Sequence, residues 1–361
     1  MTDPNQAADE SGTLEADEEA FVPGIEIRNL YKIFGRDPDR WVDAVRNGMT
    51  KGELNRKHNH SLGLCNINTE LPAGHISVIM GLSGSGKSTL LRHINGLIAP
   101  TAGEVLIDGQ DVAKMTADEL RNFRRHKTAM VFQKFGLLPH RTVLENTLYG
   151  LDIQSIPRRE SVPRARHWIE RVGLHGYEDH YPTQLSGGMQ QRVGLARALA
   201  NDAPILLMDE AFSALDPLIR VDMQSVLLEL QKELRKTIVF ITHDLDEALR
   251  LGDRVVILRA GEIAQQGTCQ DIVMNPANDY VRSFVREVNR SRVVVLRSIA
   301  RPKKPGEDWP ELCLPGSTTL EEAAKRLTSS DIREAAVLSR QGKPRGVVDL
   351  MDVTRNMLRG D

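Results

Sequence analysis

The stretch HISVIMGLSGSGKST (75–89) decides how the rest of the chain is read. Its first half is a short apolar run of the kind that forms a buried strand. Its second half fits G-x-x-x-x-G-K-[ST] in full, from Gly81 to Ser88. A strand that empties into a glycine-rich turn and then a helix turns bare backbone N–H groups toward an anion. Gly81, Gly84 and Gly86 let that backbone wrap a β-phosphate. Lys87 reaches the β- and γ-phosphates, and Ser88 holds Mg²⁺. Ser83, Ser85 and Thr89 belong to the same cofactor-binding loop, and the helix is expected from Lys87 to about Asn95. The spacing predicts a nucleoside triphosphate site.

A second apolar run, ILLMDE (205–210), ends in two carboxylates. A buried strand delivers such a pair to the carboxyl edge of a parallel sheet, where α/β folds bind ligands. Asp209 would orient Mg²⁺ there, and Glu210 is placed to accept a proton from an attacking water. Two further polar residues end strand-like runs, Gln133 in MVFQKFG and His243 in VFITHDLDE. An amide or a neutral imidazole at that edge reaches the γ-phosphate and the water, and Gln133 joins Ser88 and Asp209 as a metal ligand. These residues make Glu210, His243 and Gln133 the candidate catalytic set.

The segment LSGGMQQRVGLARALA (185–200) poses a different problem. A helix that opens on Gly187 and Gly188 loses roughly 1 kcal/mol per glycine relative to alanine. With Ser186, the two glycines form a second helix start suited to an anion, in a chain that already has one.

Composition narrows the classes. The 361 residues leave room for two domains, and the 47 basic and 49 acidic side chains nearly cancel, which speaks against a broad nucleic-acid surface. RNFRRHK (121–127) reads as a solvated helix face. Cys65, Cys269 and Cys313 lack metal-ligand spacing and read as reduced thiols. No run approaches the roughly 20 apolar residues that span a bilayer. The opening MTDPNQAADESGTLEADEEA has no signal-peptide pattern and reads as a disordered acidic tail. The expectation is a soluble, cytoplasmic chain that meets a membrane only through a partner.

Three segments follow: the tail (1–24), an α/β nucleotide-binding domain (25–290) and a linker with a small unit (291–361). In the domain, IEIRNLYKIFG reads as a strand, and 36–60 as a short amphipathic helical insert. Trp41, Val42, Val45 and Met49 fall at helical spacing, the Trp41 face packing on its own domain. Residues from about 115 to 190 are largely helical. APILLMDE and RKTIVFITHD are further buried strands, and RVVILRAGEIAQQG is a terminal antiparallel hairpin. Strands alternating with helices indicate a mostly parallel sheet. The last segment holds a helix (TLEEAAKRL), two strands (AAVLS and RGVVDL) and MDVTRNML.

In chain order, the phosphate loop, Gln133, LSGGMQQ, ILLMDE, SALD (213–216) and His243 resemble the ATP-binding subunits of ABC transporters, over roughly residues 25–285. The resemblance implies an α/β fold of the P-loop NTPase type, an ABC nucleotide-binding domain with a helical subdomain. It also gives the second anion site a purpose. Ser186, Gly187, Gly188 and Gln190 would contact ATP held by a facing copy, so that two copies close head to tail around two ATP molecules. Asp216 would link the two sites, and Phe34 matches the aromatic that stacks on adenine.

More narrowly, MGLSGSGKST, MDEAFSALDPLIR, NPANDYV and the insert look like the subfamily that serves glycine betaine and proline betaine importers. Ala211, where most ABC subunits have proline, matches that subfamily. ATP and Mg²⁺ are the implied cofactors. The implied partners are a second copy, a transmembrane permease and, indirectly, a periplasmic or lipoprotein solute-binding protein, with no nucleic acid. The implied place is peripheral, on the cytoplasmic face of the inner membrane. Those relatives carry paired CBS modules, whereas one CBS-like unit is readable here, about 312–360, within a small α+β unit. Two other readings stay open: a non-transport ABC ATPase, and an importer subunit whose CBS-like tail senses a nucleotide or ionic strength. The solute among glycine betaine, proline betaine, choline, carnitine and trimethylamine N-oxide is set by partners, not by this chain.

Overall fold

Two strands with every residue buried, Ile76–Met80 and Thr237–Thr242, mark the centre of the computed structural model. Strands buried on both faces read as continuous apolar runs, the pattern of a covered parallel sheet. They lie side by side in a six-stranded sheet ordered Glu262–Gly267, Arg254–Arg259, Ile76–Met80, Thr237–Thr242, Ile205–Asp209, Thr128–Phe132. All neighbours pair in parallel except the terminal hairpin Arg254–Arg259 and Glu262–Gly267. The structure describes residues 22–286, 288–304, 306–330, 332–339 and 341–358. The acidic stretch before them lies outside the described residues. Two compact units divide the chain, one spanning Pro23–Val288 and the other taking in the residues from Asn289 onward.

A second sheet in the first unit is antiparallel and four-stranded, ordered Ser61–Pro72, Pro23–Phe34, Ala102–Ile107, Gln110–Asp111. The helix Lys87–Ile94 shares one apolar cluster with both sheets. Leu90, Leu91 and Ile94 meet Ile25, Ile67 and Leu71 from one sheet and Ile79, Leu207 and Ile241 from the other. The helix that follows the phosphate loop is thus a core element, and its first turn inherits the rigidity of that core.

The stretch 115–190 contains helices Ala117–His126, Val143–Ile153, Arg158–Arg171 and the first turn of Gly187–Ala200. Thr116 and Thr142 begin the first two with capping boxes closed by Glu119 and Glu145. Between them the strand-like run before Gln133 is the edge strand Thr128–Phe132 of the parallel sheet, because TAMVF buries Ala129 and Val131 and pairs in register with Ile205–Asp209. The insert joins the hairpin of Pro23–Phe34 and Ser61–Pro72 through a 3₁₀ turn, Pro38–Trp41, and two helices, Val42–Arg46 and Lys51–His58. Val42, Val45 and Leu54 form a small core with Tyr31, Ile33 and Leu62, and Trp41 and Met49 pack against it. The Trp41 face lies on its own domain.

The second unit is a three-stranded sheet, Cys313–Pro315 parallel to Glu334–Leu338, which pairs antiparallel with Pro344–Asp349. Helices Leu320–Ser329 and Leu350–Leu358 pack on each other. Among the described residues, no helix is long and apolar enough to cross a membrane.

His93, on the phosphate-loop helix, is 2% exposed, and its Nδ1 lies 2.7 Å from the Thr89 carbonyl oxygen. Burial, first among the causes, pushes its imidazole down to about 4. The folded protein keeps this ring neutral, so between pH 6.5 and 4 the unfolded chain binds the extra proton. Its contribution to stability is complete above about pH 6.5 and declines as the pH falls toward 4. His93→Gln is expected to flatten the fall of Tm across that window in a thermal-unfolding series.

Candidate functional site

The phosphate loop begins where Ile76–Met80 ends. Gly81 has φ +146°, and a Cβ there would lie 2.2 Å from the Leu258 carbonyl oxygen, so the turn requires glycine. Gly86, at φ +107°, caps the helix Lys87–Ile94 with no side-chain hydrogen bond. The first backbone N–H groups of that helix are therefore left for a ligand. Lys87 is 5% exposed, and its Nζ donates to the carbonyl oxygens of Gly81 (2.8 Å) and Leu82 (3.3 Å). The buried Ser85 hydroxyl has no partner within the protein. Tyr280 props the loop from outside, its hydroxyl accepting from the Leu82 N–H (3.3 Å) and donating to the Leu258 carbonyl (3.1 Å).

Parallel register brings the carboxylates to this loop. Asp209 pairs with Phe132 on one side and with Ile241 on the other. Glu210, Gln133 and His243 therefore leave the sheet at one edge. Glu210 Oε1 lies 3.5 Å from Lys87 Nζ, while its Oε2 accepts from Gln133 Nε2 (3.2 Å) and lies 3.4 Å from His243 Nδ1. The Glu210 backbone is left-handed, φ +46°, a conformation unusual for a side chain of this size. Three hydrogen bonds hold it there, one of them from the Ser213 N–H to the Glu210 carbonyl (3.2 Å). The Glu210 N–H donates to the Ile241 carbonyl (3.1 Å), and the Ser213 hydroxyl donates to the Glu210 carbonyl (2.8 Å). Gln133 Nε2 also donates to the Ser213 hydroxyl (3.3 Å).

Ser88 Oγ donates to Asp209 Oδ1 at 2.9 Å. Burial raises the Asp209 carboxyl above its ordinary range, and the Ser88 hydrogen bond opposes the shift. Among the described residues, no group of three or more His, Cys, Asp or Glu side chains is arranged as a cage. A hydroxyl, one carboxylate and an amide oxygen are hard donors. Such a sparse set suits Mg²⁺, which keeps water and substrate phosphates in its shell. The residues fit that ion.

Phe34 is 42% exposed and is not a core side chain. The ring lies against Gly63, where a Cβ would fall 2.6 Å from Phe34 Cε2, and Lys32 Nζ sits 5.3 Å from the ring centroid. The Gly63 carbonyl oxygen lies 3.0 Å from where a Cβ of Gly86 would be. The aromatic platform and the phosphate loop thus meet through one glycine.

Ser186 caps the helix Gly187–Ala200, its hydroxyl accepting from the Met189 N–H. A Cβ at Gly188 would come 2.6 Å from Ile219 Cγ2. Gln190 Nε2 donates to the Leu185 carbonyl, and Asp216 caps Pro217–Leu234 by accepting from the Ile219 N–H. Among the described residues, these five share no hydrogen bond or ion pair with Lys87, Asp209 or Glu210. Ser83 is exposed, and the Thr89 carbonyl accepts from His93. Ser213 and Tyr280, for which the motifs SALD and NPANDYV carried no individual role, are the two additional residues that shape this site.

The ABC transporter family matches residues 64–213, and the CBS domain family matches residues 307–359. The chain is 54% identical over 277 residues to the glycine betaine transport ATP-binding protein of Bacillus subtilis, covering 77% of this chain and 66% of that protein. It is 44% identical over 334 residues to the glycine betaine/carnitine transport ATP-binding protein of Listeria monocytogenes, with 92% and 82% covered. To the trimethylamine N-oxide transport system ATP-binding protein of Ruegeria pomeroyi it is 44% identical over 327 residues, with 91% and 95% covered. A dimeric bacterial ABC transporter cassette superposes with a TM-score of 0.58 at 35% identity, over 68% of this chain and 98% of that one. The chain belongs to the ABC transporter ATP-binding proteins. Its fold is the α/β ABC cassette followed by a CBS domain, and its site binds ATP.

Because Ser213 secures the strained Glu210 backbone and receives Gln133, Ser213→Ala is expected to lower the ATPase kcat roughly tenfold, the loss of about one hydrogen bond's positioning. ATP affinity measured by equilibrium binding should stay unchanged.

Proposed function

We propose that this chain is the ATPase subunit of an importer for quaternary amines or trimethylamine N-oxide. The observation that carries the reading is the Glu210 carboxylate, shared by Lys87, Gln133 and His243 at the mouth of the phosphate loop. A lone acidic residue after a strand has many uses. One that faces the phosphate-loop lysine and two polar groups suited to holding a water suggests hydrolysis.

Lys87, surrounded by two carbonyl oxygens and Glu210, binds the β- and γ-phosphates, while Phe34 stacks on adenine. Ser88 and Asp209, with the Gln133 amide, hold Mg²⁺, which when bound spreads the charge of the phosphate oxygens. With Lys87 engaged by phosphate, Glu210 accepts a proton from the water held by Gln133 and His243. The water oxygen bonds to the γ-phosphorus, and the bond from that phosphorus to the β–γ bridging oxygen breaks, leaving ADP and phosphate. Ser186, Gly187, Gly188 and Gln190 complete the site of a second copy, and Asp216 joins the two sites. Their separation from the chain's own Glu210 cluster supports this, as does the dimeric state named for the related cassette.

Residues 25–290 form the catalytic domain in this reading, and residues 291–361 the linker and its CBS unit. The helices after Gln133 pass closure of the dimer to a membrane-spanning permease, which holds the chain at the cytoplasmic face. A solute-binding protein feeds that permease. The solutes in the relatives' names, glycine betaine, carnitine and trimethylamine N-oxide, all carry a fully substituted methylated nitrogen.

Glu210→Gln is expected to retain ATP binding and lose about 10²–10⁴-fold in turnover. Cells expressing the variant with its permease and binding protein should lose uptake of one labelled compound among betaines, carnitine and trimethylamine N-oxide. Wild-type hydrolysis by the variant would overturn the assignment of Glu210. Uptake indifferent to the variant for every compound would overturn the solute class.

A further inference from the structure

The insert at 36–60 takes no part in the chemistry described so far, yet it grows directly out of the aromatic platform. Phe34 is the last paired residue of its strand, opposite Ser61, and residues 35–60 are the connection between them. Hairpin connections are usually about two to five residues long. A connection this long leaves the final pair of the hairpin free to fray unless something closes its neck.

His60 closes it. The ring is 8% exposed, with Nε2 2.7 Å from the Arg36 carbonyl oxygen and Nδ1 2.6 Å from the His58 carbonyl oxygen. It lies flat on the backbone of Gly35, where φ is +149° and a Cβ would fall 2.2 Å from His60 Cδ2. Trp41 covers it from the insert side, its ring centroid 5.8 Å away and stacked on His58 at 3.7 Å. The two residues that His60 grips, Gly35 and Arg36, are the two that follow Phe34. The apolar core of the insert, built on Val42, Val45 and Leu54, does not include His60.

We propose that His60 is a positioning residue for the nucleotide base: it clamps the neck of the insert and so holds the Phe34 ring against Gly63, ready to stack. The insert is then a brace for the base platform, folded as a unit so that its neck can be locked. This inference rests on the reading of Phe34 as the adenine platform. Neither the phosphate loop nor the Glu210 cluster touches His60, so its loss acts on the base and leaves the phosphate chemistry alone.

The test is a set of steady-state ATPase measurements on the full chain, with inorganic triphosphate as a base-free competitor. His60→Ala is expected to raise the KM for ATP about three- to tenfold, within the range that a base–aromatic stack supplies. The kcat should stay within about twofold, and the inhibition constant of inorganic triphosphate should not move. His60→Gln, which keeps one donor of similar reach, should recover most of the affinity. Gly35→Ala, whose methyl displaces the ring, should reproduce the KM shift and keeps the test intact if His60→Ala fails to fold. The double variant Phe34→Ala/His60→Ala should match Phe34→Ala alone, because the two residues act as a unit.

If Phe34→Ala leaves the KM unchanged, the base-platform reading fails, and this inference with it. If Phe34→Ala raises the KM while the His60 and Gly35 variants do not, or if the two shifts multiply, the platform stands and the clamp is overturned. A His60 effect on kcat, or on inorganic triphosphate, would likewise overturn it.

Discussion

Glu210 can face Lys87 only because two buried strands run parallel and in register. Ile205–Asp209 and Thr237–Thr242 pair residue for residue, and on the far side Thr128–Phe132 does the same with Ile205–Asp209. Slipping any one of them by a residue would exchange the side chains on the two faces of the sheet and carry Gln133 or His243 away from the carboxylate. The left-handed turn at Glu210 is the last step of this alignment. It swings the carboxylate sideways off the sheet edge toward the phosphate loop, and the cohesion of the surrounding core holds a conformation that the chain alone would avoid. The rest of the site is arranged around that side chain.

The antiparallel sheet supplies what the parallel one lacks. Its strands share the apolar cluster that contains the phosphate-loop helix, and one of its inner strands, Pro23–Phe34, ends at Phe34. Phe34 and the Glu210 cluster thus belong to two different sheets, and the helix Lys87–Ile94 packs against both. Burial of His93 within that helix ties the integrity of the loop to the protonation of a single imidazole.

The parts of the site that could be read in the sequence are those in which one short segment contains both the element and its chemistry. HISVIMGLSGSGKST and ILLMDE each carry a strand, its end and the functional group together. Residues whose role depends on a neighbour distant in the chain could not be read that way. Ser213 matters because it meets the Glu210 carbonyl and the Gln133 amide, and Tyr280 because it touches a loop far upstream. His60 looks like one more histidine in a polar stretch until its ring is found between carbonyls. Among the elements, TAMVF shows as strand-like only through the run that ends at Gln133, because four apolar residues set in a mostly helical region fit either period. Cys313–Pro315 is too short, and too close to a proline, to signal a strand. The single CBS unit was legible because its helix and two strands are of ordinary length.

Gly63, Gly86 and Gly261 come from three separate parts of the chain and meet backbone to backbone. A Cβ on Gly261 would lie 2.8 Å from the Gly63 carbonyl oxygen, and one on Gly86 3.0 Å from the same atom. Gly261 sits in the tight turn of the terminal hairpin, in a segment with no chemical role of its own. The contact of Gly261 with Gly63 is main chain against main chain, so a side chain added at that turn would press on the Gly63 carbonyl, which also abuts Gly86 of the phosphate loop. Tolerance to variation in this protein therefore does not follow distance from the reacting atoms, and an innocuous-looking hairpin tip belongs among its most brittle positions.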